Sequence, residues 1–188
     1  MSSASDSAHS VETHSNGGTK LPCTESHLRL TDRGTDVGAG SWFQLFQVTN
    51  DGNQSCSLKG YPRITLKPSQ GAIQSLVVIS IKYEAARKIG DSQSGPVPTS
   101  TLAAHGGMVS FWIAGSDTPA ANQPGCKMAT DVLVRLPAVR EALQYHVTKI
   151  PFNVCEDAID VTPILPGRSG SVPAEPLSYF DLQRPSIS

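Results

Sequence analysis

The sequence predicts an all-β protein: an antiparallel, immunoglobulin-like sandwich of two sheets, with seven to eight strands and two disulfides. Three observations lead there. The 188 residues include 16 Gly and 14 Pro, and only 16% are charged, a composition that favours strands and turns over helices. Apolar side chains recur with a period of two, and turn-forming clusters separate these segments. A small barrel is the alternative architecture.

The strands follow from the alternation of side chains. In three segments apolar residues recur at every second position, as in half-buried antiparallel strands: 77–83, 109–113 and 132–136. Residues 42–49 are apolar on both faces, which predicts a central strand covered on two sides or one that curls at an edge. Shorter strands are expected at 27–31, 64–67 and 159–162.

The two ends differ from the middle of the chain. Residues 1–20 are polar and predict a disordered stalk, because they carry too little apolar surface to offset the entropy of ordering. Residues 21–163 form the predicted sandwich domain, and residues 164–188 form an extended Pro-rich tail. The tail still carries four large apolar side chains that can lie along the body: Leu177, Tyr179, Phe180 and Leu182.

One segment has a helical composition. Residues 138–145 follow Pro137 and contain mostly helix-forming residues, but their length gives at most two turns, and so short a helix is marginal in isolation. We expect a turn of surface helix there, with a strand as the open alternative.

The cysteines indicate the cellular compartment. There are four, an even number, with no Cys-x-x-Cys pair and no His at metal-ligand spacing, which disfavours zinc. Three pairings are possible, and the simplest joins Cys23 to Cys56 and Cys126 to Cys155. Disulfides persist in oxidising compartments, so we expect a secreted, periplasmic or cell-surface protein. The alternative is four buried free thiols in a cytosolic protein.

Charge and hydropathy exclude several function classes. A net charge of -1 with scattered Lys and Arg leaves no basic stripe, so nucleic acid is not an expected partner. No apolar run reaches the about 20 residues that span a bilayer, so no transmembrane segment is expected in this chain. Residues 1–20 lack the apolar core of a signal peptide, and we expect any such signal to be absent from this chain.

Motifs in order along the chain resemble an exported bacterial family catalogued as domain of unknown function 4232. The first half supplies Cys23, Gly38-Ala39-Gly40, Val48-Thr49-Asn50 and Cys56-Ser57-Leu58-Lys59-Gly60-Tyr61-Pro62. The second half supplies Gly125-Cys126, Leu136-Pro137, Val154-Cys155 and Val161-Thr162-Pro163. The resemblance covers 23–163 and departs at 138–145 and in the tail. It implies an exported domain, often within lipoproteins or anchored proteins, with both disulfides local, and it implies no reaction.

Two of these motifs have predicted structural roles. Gly60 allows a backbone turn forbidden to other residues before Tyr61-Pro62. Asn50 ends a strand where its side chain can bond nearby backbone, and Gly52 is expected to supply a positive φ in the same turn.

No catalytic constellation stands out, so we assign no catalytic residue and predict that the protein is not an enzyme. The alternative is a hydrolase of envelope polymers that uses His105 with Ser110 or Asp131. His105-Gly106-Gly107 resembles an oxyanion-loop tripeptide, but it opens a strand and is interpreted as a turn. No metal ligands or cofactor motif are assigned, because His9 and His14 alone are a weak metal signal.

The remaining expectation is a binding or spacing module at the bacterial cell envelope. Its partner would be an unknown envelope component or protein, and the module itself a monomer. Trp112, like the other strand aromatics, is interpreted first as a core residue. The alternative, on which Trp112 is a tentative ligand-binding residue, is that it lies opposite Phe111 and Ile113 in the pleat and is exposed. The irregular 83–100 segment is a second expected contact region, because loops on sandwiches often carry function.

Overall fold

A computed structural model describes part of the chain, in these ranges: 21–38, 40–68, 77–80, 97, 99–119, 125–147, 152–155 and 158–166. The predicted stalk at 1–20, most of the 83–100 segment and the tail beyond 166 lie outside the described residues, and so do the last three residues of the strand predicted at 77–83.

The described residues are all-β, as predicted, apart from one 3-10 turn at Glu25–His27. Their strands are β1 (Leu21–Pro22), β2 (Leu28–Gly38), β3 (Ser41–Asn50), β4 (Cys56–Leu58), β5 (Arg63–Pro68), β6 (Val77–Ser80), β7 (Ser100–Leu102), β8 (Gly107–Ser116), β9 (Lys127–Arg135), β10 (Leu143–His146), β11 (Phe152–Val154), β12 (Ala158–Val161) and β13 (Leu165–Pro166). No helix among the described residues is long and apolar enough to cross a bilayer.

These strands form three sheets rather than two, and they outnumber the predicted seven to eight. The largest sheet has the order β2-β3-β8-β12-β6, with β13 also beside β8. The second is built around β9, which pairs with β5, β10 and β11, and the third is the short β1-β4-β7. Pairing is antiparallel except between β1 and β4 and between β6 and β12. The additional strands are too short for an alternation of apolar and polar residues to be recognised in their sequence.

The centre of the largest sheet is the pair β3 and β8, in unbroken register from Ser41 opposite Ser116 to Asn50 opposite Gly107. One face of this pair belongs to the main hydrophobic core, where the rings of Phe46 and Phe111 stack with centroids 5.6 Å apart. Strands of the other two sheets close this core from the opposite side: their core residues include Leu58, Leu66, Leu102, Val132 and Val134.

The other face of the pair is also buried, which confirms the expectation of a central strand covered on two sides. We call it the second face. It carries Phe43 and Leu45 of β3, Trp112 and Ala114 of β8, and Asp160 of the neighbouring strand β12, which lies opposite Ala114. Phe43 is 1% exposed and Trp112 is 7% exposed. The first interpretation of Trp112, as a buried aromatic, is therefore confirmed, and the alternative of an exposed Trp112 is wrong, because β8 is covered on both faces and not on one.

The short helix expected at 138–145 is also absent. Ala138 has a φ of 61°, outside the right-handed helical region, and Leu143–His146 form β10, antiparallel to β9. The Tyr145 hydroxyl donates to a carboxylate oxygen of Asp32 at 2.9 Å and ties β10 to β2. Pairing with distant residues thus overrides a local preference for helix of at most a few kcal/mol.

Both disulfides join the pairs that the sequence favoured. Cys23 is bonded to Cys56, and Cys126 is bonded to Cys155, at sequence separations of 33 and 29. The first fixes the start of the domain to β4, and the second fixes the residue before β9 to the residue after β11. Each bond closes a loop whose freedom in the unfolded chain would otherwise favour unfolding.

We predict that peptide mapping of the unreduced protein recovers these two linkages and no others. Replacing Cys126 and Cys155 together by serine should lower the free energy of unfolding by about 3 kcal/mol, the loop-closure contribution of one such bond. Urea denaturation of the variant and the parent measures this difference. A crossed linkage, or an unchanged denaturation midpoint, would contradict the structure.

Asp160 of β12 carries a carboxylate on the second face. It lies opposite Ala114 of β8, is 8% exposed, and has no hydrogen-bond partner among the described residues. Burial raises the pKa of Asp160 from its ordinary 3.8 to about 6, because a buried carboxyl group loses the hydration that favours its charged form.

We predict that this carboxyl group destabilises the protein near neutral pH. As the pH rises from 3.8 to about 6, the unfolded chain releases this proton before the folded chain does. The free energy of unfolding therefore falls across this window, by about 3 kcal/mol when the change is complete. Asp160→Asn should remove that fall in urea denaturation between pH 4 and 7, whereas Glu141→Gln, at an exposed site, should retain it. A fall that persists in Asp160→Asn would contradict the prediction.

Candidate functional site

A cleft of about 390 Å³ lies between the small β1-β4-β7 sheet and the end of β3. Two segments far apart in sequence form its walls, and they are joined by the Cys23–Cys56 disulfide. Its lining residues are Leu21, Pro22, Thr24, His27, Asn50, Gly52, Asn53, Gln54, Ser55 and Cys56.

The buried side chain of Asn50 organises the cleft. Its amide nitrogen donates to the carbonyl oxygens of Gln54 at 2.8 Å and Ala103 at 3.1 Å, and its side-chain oxygen accepts from the Gly52 amide at 3.0 Å. The last bond confirms the predicted turn in which Asn50 bonds nearby backbone. One buried carboxamide thus fixes the 50–54 loop against the β7–β8 turn, with its polar atoms satisfied.

Backbone hydrogen bonds hold the same loop from both sides. The Asp51 amide donates to the His27 carbonyl at 2.8 Å, and the His105 amide donates to the Gly52 carbonyl at 2.9 Å. The Gly106 amide donates to the Asn50 carbonyl at 2.8 Å. The cleft wall is therefore a braced loop and not a freely moving one.

Gly52 is required here for a reason other than the predicted one. It does not have a positive φ; instead a Cβ atom at this position would lie 2.8 Å from the Cβ of His27. Glycine thus permits close approach of the loop to the 3-10 turn. The expectation for Gly60 is confirmed, with a φ of 117° before Tyr61.

The lining of the cleft is uncharged, since no Asp, Glu, Lys or Arg is among its residues, and apolar atoms make up more of its surface than polar atoms do. At the rim, Arg29 and Asp51 form a two-point ion pair at 2.8 and 3.1 Å that holds the pKa of Asp51 below its usual value. Because these two charges offset each other, the site presents amide, hydroxyl and imidazole groups rather than a net charge. Leu21, 57% exposed, adds an apolar spot.

The three residues of the hydrolase alternative lie in different places. His105 is exposed in the turn before β8 and has a φ of 55°. Ser110 is buried on β8 of the largest sheet, and Asp131 is on β9 of the second sheet. Within the described ranges no hydrogen bond links any two of them.

Asp131 has other partners. The His146 ring lies 3.1 Å from the Asp131 carboxylate, and the Gln144 amide donates to it at 3.2 Å. These contacts, that of His146 first, lower the pKa of Asp131 below its usual value. The part of the chain that the structure describes contains no group of three or more metal-ligating side chains that could hold an ion.

Sequence reasoning found the components of the cleft but not the cleft. Cys23, Cys56, Asn50 and Gly52 were all assigned structural roles, and nothing in the sequence indicated that they meet around a concave surface. The available signal was the density of short polar residues at 50–55, beside a cysteine that pairs with the start of the domain. The ligand-binding role of Trp112 stays a prediction, now without the exposure that motivated it.

A family model described as "Domain of unknown function (DUF4232)" matches residues 23–164, well over half of the chain. No curated protein and no solved structure matches the chain.

We predict that Asn50→Ala collapses the cleft and destabilises the fold. The change leaves the Gly52 amide and the Gln54 carbonyl without the partner that Asn50 supplies, whereas the Ala103 carbonyl still accepts from the Gly107 amide. The expected cost is about 3 kcal/mol in the free energy of unfolding. Asn53→Ala, in the same loop but exposed, is the matched control and should stay within about 0.5 kcal/mol of the parent. Equal effects of the two substitutions in thermal or urea denaturation would contradict the role given to Asn50.

Proposed function

The chain belongs to the family described as domain of unknown function 4232, and on that premise we propose that it is a non-enzymatic module outside the cytoplasm that binds an uncharged glycan of the bacterial cell envelope. The observation that carries the proposal is the braced, uncharged, hydrogen-bonding cleft beside Cys23–Cys56. The module acts as a monomer, and its overall architecture is an immunoglobulin-like sandwich in which the largest sheet faces the other two.

The disulfides support a location outside the cytoplasm. All four cysteines of the chain are paired in disulfide bonds. Disulfide bonds are rare in the cytosol, where glutathione and thioredoxin keep thiols reduced. Two local bonds also suit an exposed environment, because they keep the unfolded chain compact and so favour refolding.

The lining of the cleft supports a neutral ligand that has both polar and apolar surface, as a sugar has. Thr24, Asn53, Gln54 and Ser55 offer hydroxyl and amide groups that can both donate and accept hydrogen bonds, as sugar hydroxyls require. The exposed side chain of Leu21 can contact the apolar face of a sugar ring. With no charged lining residue, binding gains little from long-range attraction and should depend weakly on salt.

We predict that a soluble β-1,4-linked N-acetylglucosamine oligosaccharide shifts the backbone amide resonances of Asn53, Gln54 and Ser55 in two-dimensional NMR. Gln54→Ala should raise the dissociation constant about tenfold, because one hydrogen bond of about 1.4 kcal/mol is lost. Gln144→Ala, an exposed glutamine on β10 of the second sheet, is the matched control and should bind like the parent.

Two outcomes would contradict the proposed function. Shifts confined to residues outside the cleft, or no shifts at all at millimolar oligosaccharide, would place binding elsewhere or exclude this ligand class. Release of shorter sugars during the same incubation, detected by mass spectrometry and abolished by His105→Ala, would favour the hydrolase alternative. We expect no release with either protein.

A further inference from the structure

The second sheet has one face in the core and one face directed away from it. Alternate residues of β5 and β9, such as Ile64 and Val134, are buried in the core. The residues between them therefore point to the other side of the sheet. These residues are exposed or half-buried, and we call their surface the outer face: Arg63, Thr65, Lys67, Asp131, Leu133 and Arg135.

Two arginines lie side by side on the outer face. The register of β5 with β9 places Arg63 directly opposite Arg135, although the two are far apart in sequence, and both are exposed. Directly opposite residues of an antiparallel pair have Cβ atoms about 5 Å apart on one face, and like charges in this position destabilise a sheet. The ion pairs among the described residues involve other cations, Arg29 and His146, so no described carboxylate offsets this repulsion.

Lys67 extends the positive charge along β5. It lies four residues beyond Arg63 on the same face, about 13 Å away in an extended strand. The carboxylate opposite Lys67 is that of Asp131, which accepts a hydrogen bond from Gln144 and lies 3.1 Å from the His146 ring. The six positions of the outer face thus carry three cations and one carboxylate, although the chain as a whole has a net charge of -1.

The chemistry of the paired arginines suits a phosphate group. Each guanidinium presents a planar fork of N–H donors that can bond two phosphate oxygens at once. A chain molecule in which phosphates recur can reach the arginine pair and Lys67 together, and the second contact then forms at a high effective concentration. The positions between these cations, Thr65 and Leu133, are not aromatic, so they offer no platform on which nucleic-acid bases can stack.

We propose that the outer face binds an anionic polymer of the cell envelope whose units are joined by phosphodiesters. Arg63 and Arg135 together hold one phosphate, and Lys67 holds another phosphate further along the polymer. This site goes beyond the glycan cleft, because it lies on another sheet and takes a charged ligand. It shares with the proposed function only the location outside the cytoplasm.

NMR titration of the full chain with soluble poly(glycerol phosphate) at low ionic strength tests the proposal. We expect shifts of the backbone amide resonances of residues 63–67 and 131–135. The amides of Asn53, Gln54 and Ser55 in the cleft should not shift, so failure of this site and failure of the glycan site are distinguishable. Added salt should weaken the binding, because it screens the attraction between exposed charges.

Arg135→Gln should raise the dissociation constant for this polymer about tenfold, because charge-assisted hydrogen bonds to one phosphate are lost. Arg33→Gln is the matched control: it removes one exposed arginine from β2 of the largest sheet and should bind within about twofold of the parent. The urea denaturation midpoint of Arg135→Gln should be unchanged or higher, since the substitution removes a like-charge pair.

Several results would overturn the proposal. They include no binding of poly(glycerol phosphate), equal weakening by Arg33→Gln, and a lower denaturation midpoint of Arg135→Gln, which would make the arginine pair structural. Equally tight binding of single-stranded DNA with the same number of phosphates would indicate a nucleic-acid site. Binding to vesicles of phosphatidylglycerol and phosphatidylcholine, without binding to the soluble polymer, would assign the outer face to a lipid surface.

Discussion

The structure depends on one constraint, the unbroken antiparallel pairing of β3 with β8 over ten residues of each strand. Successive side chains of each strand point to opposite faces of the sheet. Phe46 and Phe111 therefore lie on the core side of the pair, and Phe43 and Trp112 lie on the second face. A shift of one residue would exchange every side chain between the faces. The register therefore fixes both the core and the covered surface.

The same pairing ends where the cleft begins. Asn50 is the last residue of β3 and lies opposite Gly107, so the position of its carboxamide is set by the strand pair. From there it fixes the loop that forms one wall, while the Cys23–Cys56 disulfide attaches the other wall to β4. The loop that forms the binding surface is thus held in one conformation by the sheet. Less conformational entropy of the loop is therefore lost when a ligand binds.

The strands were predictable because alternation is a local signal, and residues 42–49, apolar on both faces, correctly indicated a doubly covered strand. The predictions that failed concern features that depend on contacts between residues distant in sequence. Residues 138–145 have a helical composition, but pairing of Leu143 and Tyr145 with β9 makes them part of a strand. The alternative of an exposed Trp112 stayed open because the pattern of its strand alone does not show whether both faces are covered. The cleft was missed for the same reason: its walls are joined by the Cys23–Cys56 disulfide, by the pairing of β1 with β4 and by a hydrogen bond from the Asp51 amide to the His27 carbonyl, all of them contacts between residues distant in sequence.

Native-state hydrogen exchange of the intact protein tests the central role of the β3–β8 pair most directly. The backbone amides of β3 and β8 are expected to exchange most slowly, at rates that follow the free energy of global unfolding, with those of β5 and β9 exchanging faster. The opposite order, with β3 and β8 opening in a local event before β5 and β9, would contradict the claim that the rest of the structure depends on this pair.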